Sequence, residues 1–193
     1  MKSNALQTRL FGIAVTAIIA LLMIACEDEE KTYAIGDIGP GGGVVFYDKK
    51  SVSDGWRYLE AAPHDQATSV KWANANSSIN NKAYGTAIGT GKANTAAIIT
   101  ARGNLDNATN NAAIAASVTI NGKSDWFLPS RDELGRMYNA RSHLGIQSGN
   151  YWSSSMFYDN IAYGLDFGGT GMGDTTFTAP KSNAYRVRAI RAF

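Results

Sequence analysis

Hydrophobic residues recur along this chain in three rhythms. The first is unbroken: Leu10 to Ala25 is apolar almost throughout, follows Lys2 and Arg9, and runs into Cys26 and the acids Glu27, Asp28, Glu29 and Glu30. Its sixteen residues fall short of the roughly 20 that a membrane-crossing helix needs. A basic start, a short apolar run and a small residue before the break are the form of a secretory signal. The second rhythm has period two. It predicts a strand at Val44–Tyr47, a second in "GWRYLEAAP" closed by Pro63, and a third that sets Tyr163, Leu165 and Phe167 on one face. "YWSSS" reads as a short strand or turn. A final strand in "AYRVRAIRAF" alternates Val187 and Ala189 against Arg186 and Arg188, with Arg191 on the other face.

The third rhythm is helical. Leu134, Met137 and Tyr138 recur at i, i+3 and i+4 and predict a helix from about Arg131 to Ser142, ended by Gly145. Its start is marked by Ser130-x-x-Glu133, the spacing at which a Ser hydroxyl and a Glu carboxylate satisfy each other's free backbone N–H groups. Pro129 favours an extended residue before it. "NTAAIITARG" predicts a helix capped by Asn94 and stopped by Gly103, and "DNATNNAAIAASV" a second, thin one. Residues 73–111 hold nine asparagines, a composition of loops and caps. Strands, helices and a β-rich end predict an α+β domain: two or three short helices on small antiparallel sheets with long loops.

Charge and cysteine count refine the picture. The 18 basic and 16 acidic residues give a net charge of +2. From Thr32 onward the balance is 15 to 12, too weak a bias for a dedicated nucleic-acid binder. Cys26 is the only cysteine, so no disulfide supports the domain. Met23-Ile24-Ala25-Cys26 resembles a bacterial lipobox, which predicts cleavage of a signal peptide at 1–25 and lipidation of Cys26 (the palmitate-bearing form of anchor). Two or three acyl chains would hold such a protein stably at a membrane. Residues 26–34 are then an acidic tether and 35–193 the domain, in a bacterial cell envelope, with the outer membrane or cell surface expected.

Several segments in order, "GPGGGVVFYD", "GWRYLEAAP", "AIGTGKANT", "DWFLPSRDELGRMY", "YWSSS" and "YRVRAIRAF", resemble the C-terminal domain of the Legionella collagen-like adhesin. The resemblance to this Lcl C-terminal domain family covers most of residues 35–193. It implies a C-type-lectin-like fold and, in the adhesin member, a homotrimer that binds sulfated glycosaminoglycans. The collagen-like stalk is absent here. So are the Glu-Pro-Asn, Gln-Pro-Asp and Trp-Asn-Asp motifs of calcium-dependent lectins. Serines at "YWSSS" are poor substitutes for the carboxylates calcium prefers, so no calcium site, and no other metal or cofactor, is expected.

Catalysis finds no constellation. His64 and His143 lie far apart without a metal spacing, and Asp132 and Glu133 are adjacent, so on a helix they diverge. Ser153, Ser154 and Ser155 sit in no nucleophile elbow and are expected to serve backbone groups. Formylglycine-generating enzymes, which share a related fold, need a cysteine pair that this domain lacks. The glycines of "GPGGG" precede a strand rather than following one, and no Gly-Lys-Ser/Thr follows, so they form no phosphate loop.

A binding module is the reading that remains, its ligand an acidic or sulfated glycan or host matrix component held by loops over 146–183. A protein-interaction or envelope-assembly module is the alternative. The candidate ligand contacts are Arg186, Arg188 and Arg136, with Trp72 and Tyr158 as exposed aromatics. Arg131 and Arg141 would add to the basic surface, because guanidinium groups match sulfate and carboxylate in pairs of hydrogen bonds. The fold-defining residues are Trp126, Leu128, Pro129, Ser130, Glu133, Leu134, Trp152 and Arg191. Internal pairing of Arg188 and Arg191 with Asp125, Asp132 or Glu133 competes with a ligand role.

Overall fold

The computed structural model describes residues 31–73, 83–101, 111–169 and 175–193. The signal segment, Cys26 and most of the tether lie outside them. Tyr33–Phe193 forms one compact unit with an α+β architecture. Its strands are β1 (Val44–Ser53), β2 (Trp56–Ala61), β3 (Ala67–Lys71), β4 (Asn150–Tyr158), β5 (Ile161–Asp166), β6 (Thr176–Pro180), β7 (Ala184–Val187) and β8 (Ile190–Ala192). Its helices are α1 (Gly91–Ala101), α2 (Ala112–Ala116), α3 (Arg131–Asn139) and α4 (Arg141–Leu144). One sheet has the order β1-β2-β8 and the other β3-β7-β4-β5-β6. Every pairing is antiparallel except β4 with β7.

Local chemistry explains most of these elements. β1 and β2 are joined by Asp54-Gly55 with φ of 54° and 78°, the two positive values that a tight hairpin turn of matching twist requires. β1 runs six residues beyond the predicted Tyr47, because its outer half, "DKKSVS", is a mostly exposed edge with no apolar alternation to betray it. α3 starts as predicted. The Ser130 hydroxyl accepts from the Glu133 N–H at 3.3 Å, and the Ser130 N–H donates to the Glu133 carboxylate at 2.6 Å. It ends at Asn139, after which α4 takes a new start and closes at Gly145 in the left-handed conformation (φ 53°).

Three expectations are corrected. The first helix begins at Gly91, so Asn94 lies inside it; buried, it donates to the Gly85 carbonyl at 2.6 Å instead of capping. Gly103, its predicted stop, lies outside the described residues. The thin helix is shorter than its sequence window and is capped by Asn111, whose side chain accepts from the Ile114 N–H. The closing "AYRVRAIRAF" is two strands, not one: β7 belongs to the five-stranded sheet and β8 to the three-stranded one. The chain changes sheets at Arg188–Ala189, where the side chains still alternate, so periodicity alone conceals the crossing.

Two apolar clusters form the core. Trp72, Ile98, Trp126, Leu128, Trp152 and the alanines of α2 pack in one. Phe46, Leu59, Leu134, Met137, Tyr151, Leu165 and Ile190 pack in the other. Trp126, Leu128, Pro129, Leu134 and Trp152 are all buried, as expected of fold-defining residues.

Two fully buried carboxylates tie the loops to this core. Glu60, on β2, accepts from the Gly41 N–H at 2.9 Å, the Gly43 N–H at 3.0 Å and the Arg191 guanidinium at 2.9 Å. A Cβ at Gly39 or Gly41 would stand 2.5 or 2.6 Å from a Glu60 oxygen. The glycine-rich loop therefore does wrap an anion, but an internal one. Glu133 does similar work for α1. Besides closing its own capping box it accepts from the Gly89 N–H at 2.8 Å, and the Gly91 amide supports it too. Burial pushes its pKa up, and these amide bonds oppose the shift. A carboxylate at the N-terminal end of α1 also suits the helix dipole.

Candidate functional site

The solvent face of α3 looks across a groove at the outer strands of the larger sheet. Arg131, Asp132, Gly135, Arg136 and Asn139 recur at helical spacing and form one wall, extended by Arg141 of α4. β5 and β6 form the other side. Tyr163 pairs across from Thr178 and Leu165 from Thr176, so these four share one sheet face. The hollow holds about 960 Å³. Arg136 and Asn139 also border a second hollow of about 320 Å³ that reaches Tyr47, Lys50 and His143. Arg136 thus sits on the ridge between two depressions.

Electrostatically the groove is cationic. Arg131 meets Asp132 at 2.8 Å, which holds its guanidinium charge firmly, and its charge also lies over the Tyr163 ring at 5.3 Å. Arg141 lies 4.0 Å over Tyr138 and donates to the Tyr138 carbonyl, which takes no charge from it. Arg136, exposed, rests 5.6 Å from the Tyr47 ring centre and forms no ion pair among the described residues. Asp48, in the neighbouring hollow, is already engaged: hydrogen bonds from Arg57 hold its pKa at about 2. Among the described residues, three guanidinium groups therefore face one carboxylate. Aromatic faces orient them without neutralising them.

The other sequence-selected residues go elsewhere. Arg188 is 2% exposed; its Nε donates to Asp65 at 2.7 Å and a terminal nitrogen to the Ala62 carbonyl. Arg186 shares the same Asp65 carboxylate at 3.0 Å and is partly exposed, at 29%. Tyr151 adds its hydroxyl to Asp65, and burial lifts that phenol to about 12. Arg191 joins Glu60 to Asp125. Arg188 is thus corrected from a ligand contact to an internal partner, since a buried guanidinium must find a carboxylate. Trp72 is corrected as well. It is wholly buried, donates to the Ser153 carbonyl at 2.6 Å, and carries the Lys181 ammonium over its ring at 4.8 Å. Its polar surroundings in sequence gave no sign of this, because its hydrogen-bond and cation partners, Ser153 and Lys181, lie 81 and more residues away.

Tyr158 is exposed but is not among the groove-lining residues. Its neighbour Phe157, overlooked in the sequence, touches Tyr163 of the groove instead. Ser153, Ser154 and Ser155 are completely buried; the Ser153 and Ser155 hydroxyls donate to the Tyr163 and Gly85 carbonyls, and Ser154 accepts from Asn94. Among the described residues no cluster of three or more His, Cys, Asp or Glu could hold a metal, and no helix is long and apolar enough to cross a membrane. No family model matches this chain, and no curated protein matches it. The reading of its function rests on the groove.

Proposed function

We propose that this protein is a lipid-anchored envelope protein of the Lcl C-terminal type, whose lectin-like domain binds an acidic or sulfated glycan in the groove between α3 and β5–β6, without calcium and without catalysis. The observation that carries the reading is the excess of guanidinium groups: among the described residues, Arg131, Arg136 and Arg141 line one groove with only Asp132 against them. Guanidinium groups recognise sulfates and carboxylates in pairs of hydrogen bonds, which suits a chain that carries such groups at intervals. Threonine hydroxyls on the opposite side, from Thr176 and Thr178, suit sugar hydroxyls. The groove lies partly in the 146–183 region and partly on α3, so helix and strands together would read the ligand.

Heparin chromatography in a salt gradient tests this. The protein should be retained at low salt, and the Arg136→Ala/Arg141→Ala double variant should elute earlier. Lys123→Ala, at an exposed turn away from the groove, should elute with the wild type. Absence of retention even at low salt refutes the proposal, because screening only weakens real charge attraction. The anchor has its own test: palmitate labelling should vanish in Cys26→Ala, and persistent label would exclude lipidation at that residue.

A further inference from the structure

The C-terminal end of β4 carries two large aromatic side chains that the core does not use: Phe157 is 51% exposed and Tyr158 64%. Met156, one residue earlier, is buried, so the apolar character continues past the point where the core ends. Phe157 is not isolated. Its ring centre lies 5.3 Å from that of Tyr163 at 77° between planes, an edge-to-face contact that fixes its orientation. Tyr163 lines the groove, and the Arg131 guanidinium lies 5.3 Å over its ring. Phe157, Tyr163 and Arg131 therefore make a continuous row from open surface into the cationic groove. An exposed phenyl ring contributes nothing to holding a bare polyanion. A pyranose ring, by contrast, has an apolar C–H face that packs against an aromatic ring while its substituents reach for charge.

We infer that Phe157, supported by Tyr163, is a stacking subsite at the mouth of the groove, which seats a pyranose ring of the same acidic glycan whose anionic groups contact Arg131 and its neighbours. This rests on the glycan reading of the groove and adds a selectivity to it: acidic carbohydrate is preferred over a polyanion of equal charge that lacks sugar rings. It also singles out Phe157 rather than Tyr158 as the aromatic contact.

Calorimetry with two probes tests the subsite: a heparin-derived octasaccharide, and polyvinyl sulfate of matched charge number. Phe157→Ala should weaken the octasaccharide by about 5- to 10-fold, leave polyvinyl sulfate unchanged, and leave the salt dependence of both unaltered. Phe157→Trp should retain octasaccharide binding. Arg136→Ala, by contrast, should weaken both probes and flatten both salt dependences. If Phe157→Ala leaves octasaccharide affinity untouched, or weakens both probes equally, the subsite is refuted while the groove stands. If neither probe binds the wild type, the groove reading falls and the subsite falls with it. Because Phe157 is half exposed, its alanine variant should keep the wild-type melting temperature, which separates lost contact from lost fold.

Discussion

The closing strands and the α3–α4 face are both rich in arginine, and they use it in opposite ways. On the closing strands each guanidinium meets a carboxylate: Arg186 and Arg188 share Asp65, and Arg191 bridges Glu60 and Asp125. On the helix face the guanidinium groups lie on tyrosine rings, and among the described residues only Arg131 has an acid in ion-pair contact. The first arrangement satisfies charge and fastens the termini of the domain to its centre. The second keeps charge available at the surface. Residue type and strand alternation do not separate the two cases; what separates them is whether the fold delivers a carboxylate.

The largest effect should come from removing such a carboxylate. Glu60→Ala would leave the Gly41 and Gly43 amides unpaired and would strip Arg191 of its buried partner. Breaking a buried pair in this way costs about 3–5 kcal/mol, and urea melts should show a loss of that order. A cost below about 1 kcal/mol would mean that the glycine loop and Arg191 find water or other partners, and that the buried side of the comparison is weaker than its geometry indicates.

Lys181 sharpens the comparison because it is a buried cation that makes no ion pair among the described residues. It is 1% exposed, donates to the Asp159 carbonyl at 2.5 Å and lies over Trp72. Desolvation lowers its pKa from the usual 10.5 to about 8, although the nearby Asp159 charge resists this. Between those two values the unfolded chain binds the proton more tightly than the folded one. This contribution therefore increases stability as pH rises from about 8 to 10.5, on the order of 3 kcal/mol. Lys181→Met should remove that rise from a series of urea melts across the window. An identical pH dependence in the variant would show that the amine is not desolvated.

Much of the helix-and-loop chemistry was legible in the sequence because it is local. The Ser130–Glu133 box, the Gly145 stop and the apolar face of α3 all lie within a few residues of one another, where spacing is information. The pairing of arginines with acids was not, because Asp65 reaches Arg188 across 123 residues and Glu60 reaches Arg191 across 131. Two faint signals existed. Glu60 sits alone among apolar residues in "YLEAA", where a carboxylate must be met by donors, and "GPGGG" supplies N–H groups without side chains. Either is ambiguous alone, and together they describe the nest that the structure contains. The groove was half legible: its arginines and the 146–183 region could be named, but not that the strands β5 and β6 of that region stand opposite α3.

Gly135 tests the helix side of the comparison. It occupies the middle of α3, lines the groove, and a Cβ there would meet nothing within 4 Å. A glycine in a helix interior costs about 1 kcal/mol relative to alanine, and packing gives no reason for it. Gly135→Ala should therefore raise stability by about that amount. If the groove is a binding surface, Gly135→Trp should cut heparin retention while the fold persists. Unchanged retention in the tryptophan variant would place the ligand elsewhere.

The smallest expected effect on stability belongs to Arg136, and it is the most decisive for the contrast. Arg136 has an aromatic ring beneath it and no ion pair among the described residues, so Arg136→Ala should shift stability by no more than about 0.5 kcal/mol. Arg188→Ala, which leaves Asp65 to Arg186 and Tyr151 and opens a cavity beside Ala62, should cost several times as much. Heparin elution should rank the two in reverse: the Arg136 variant leaves the column at lower salt, while any folded Arg188 variant behaves as wild type. The mechanism is the same in both cases, since a guanidinium group is spent once. An arginine already neutralised by Asp65 has little left for a sulfate, and one lying on Tyr47 has nearly all of it.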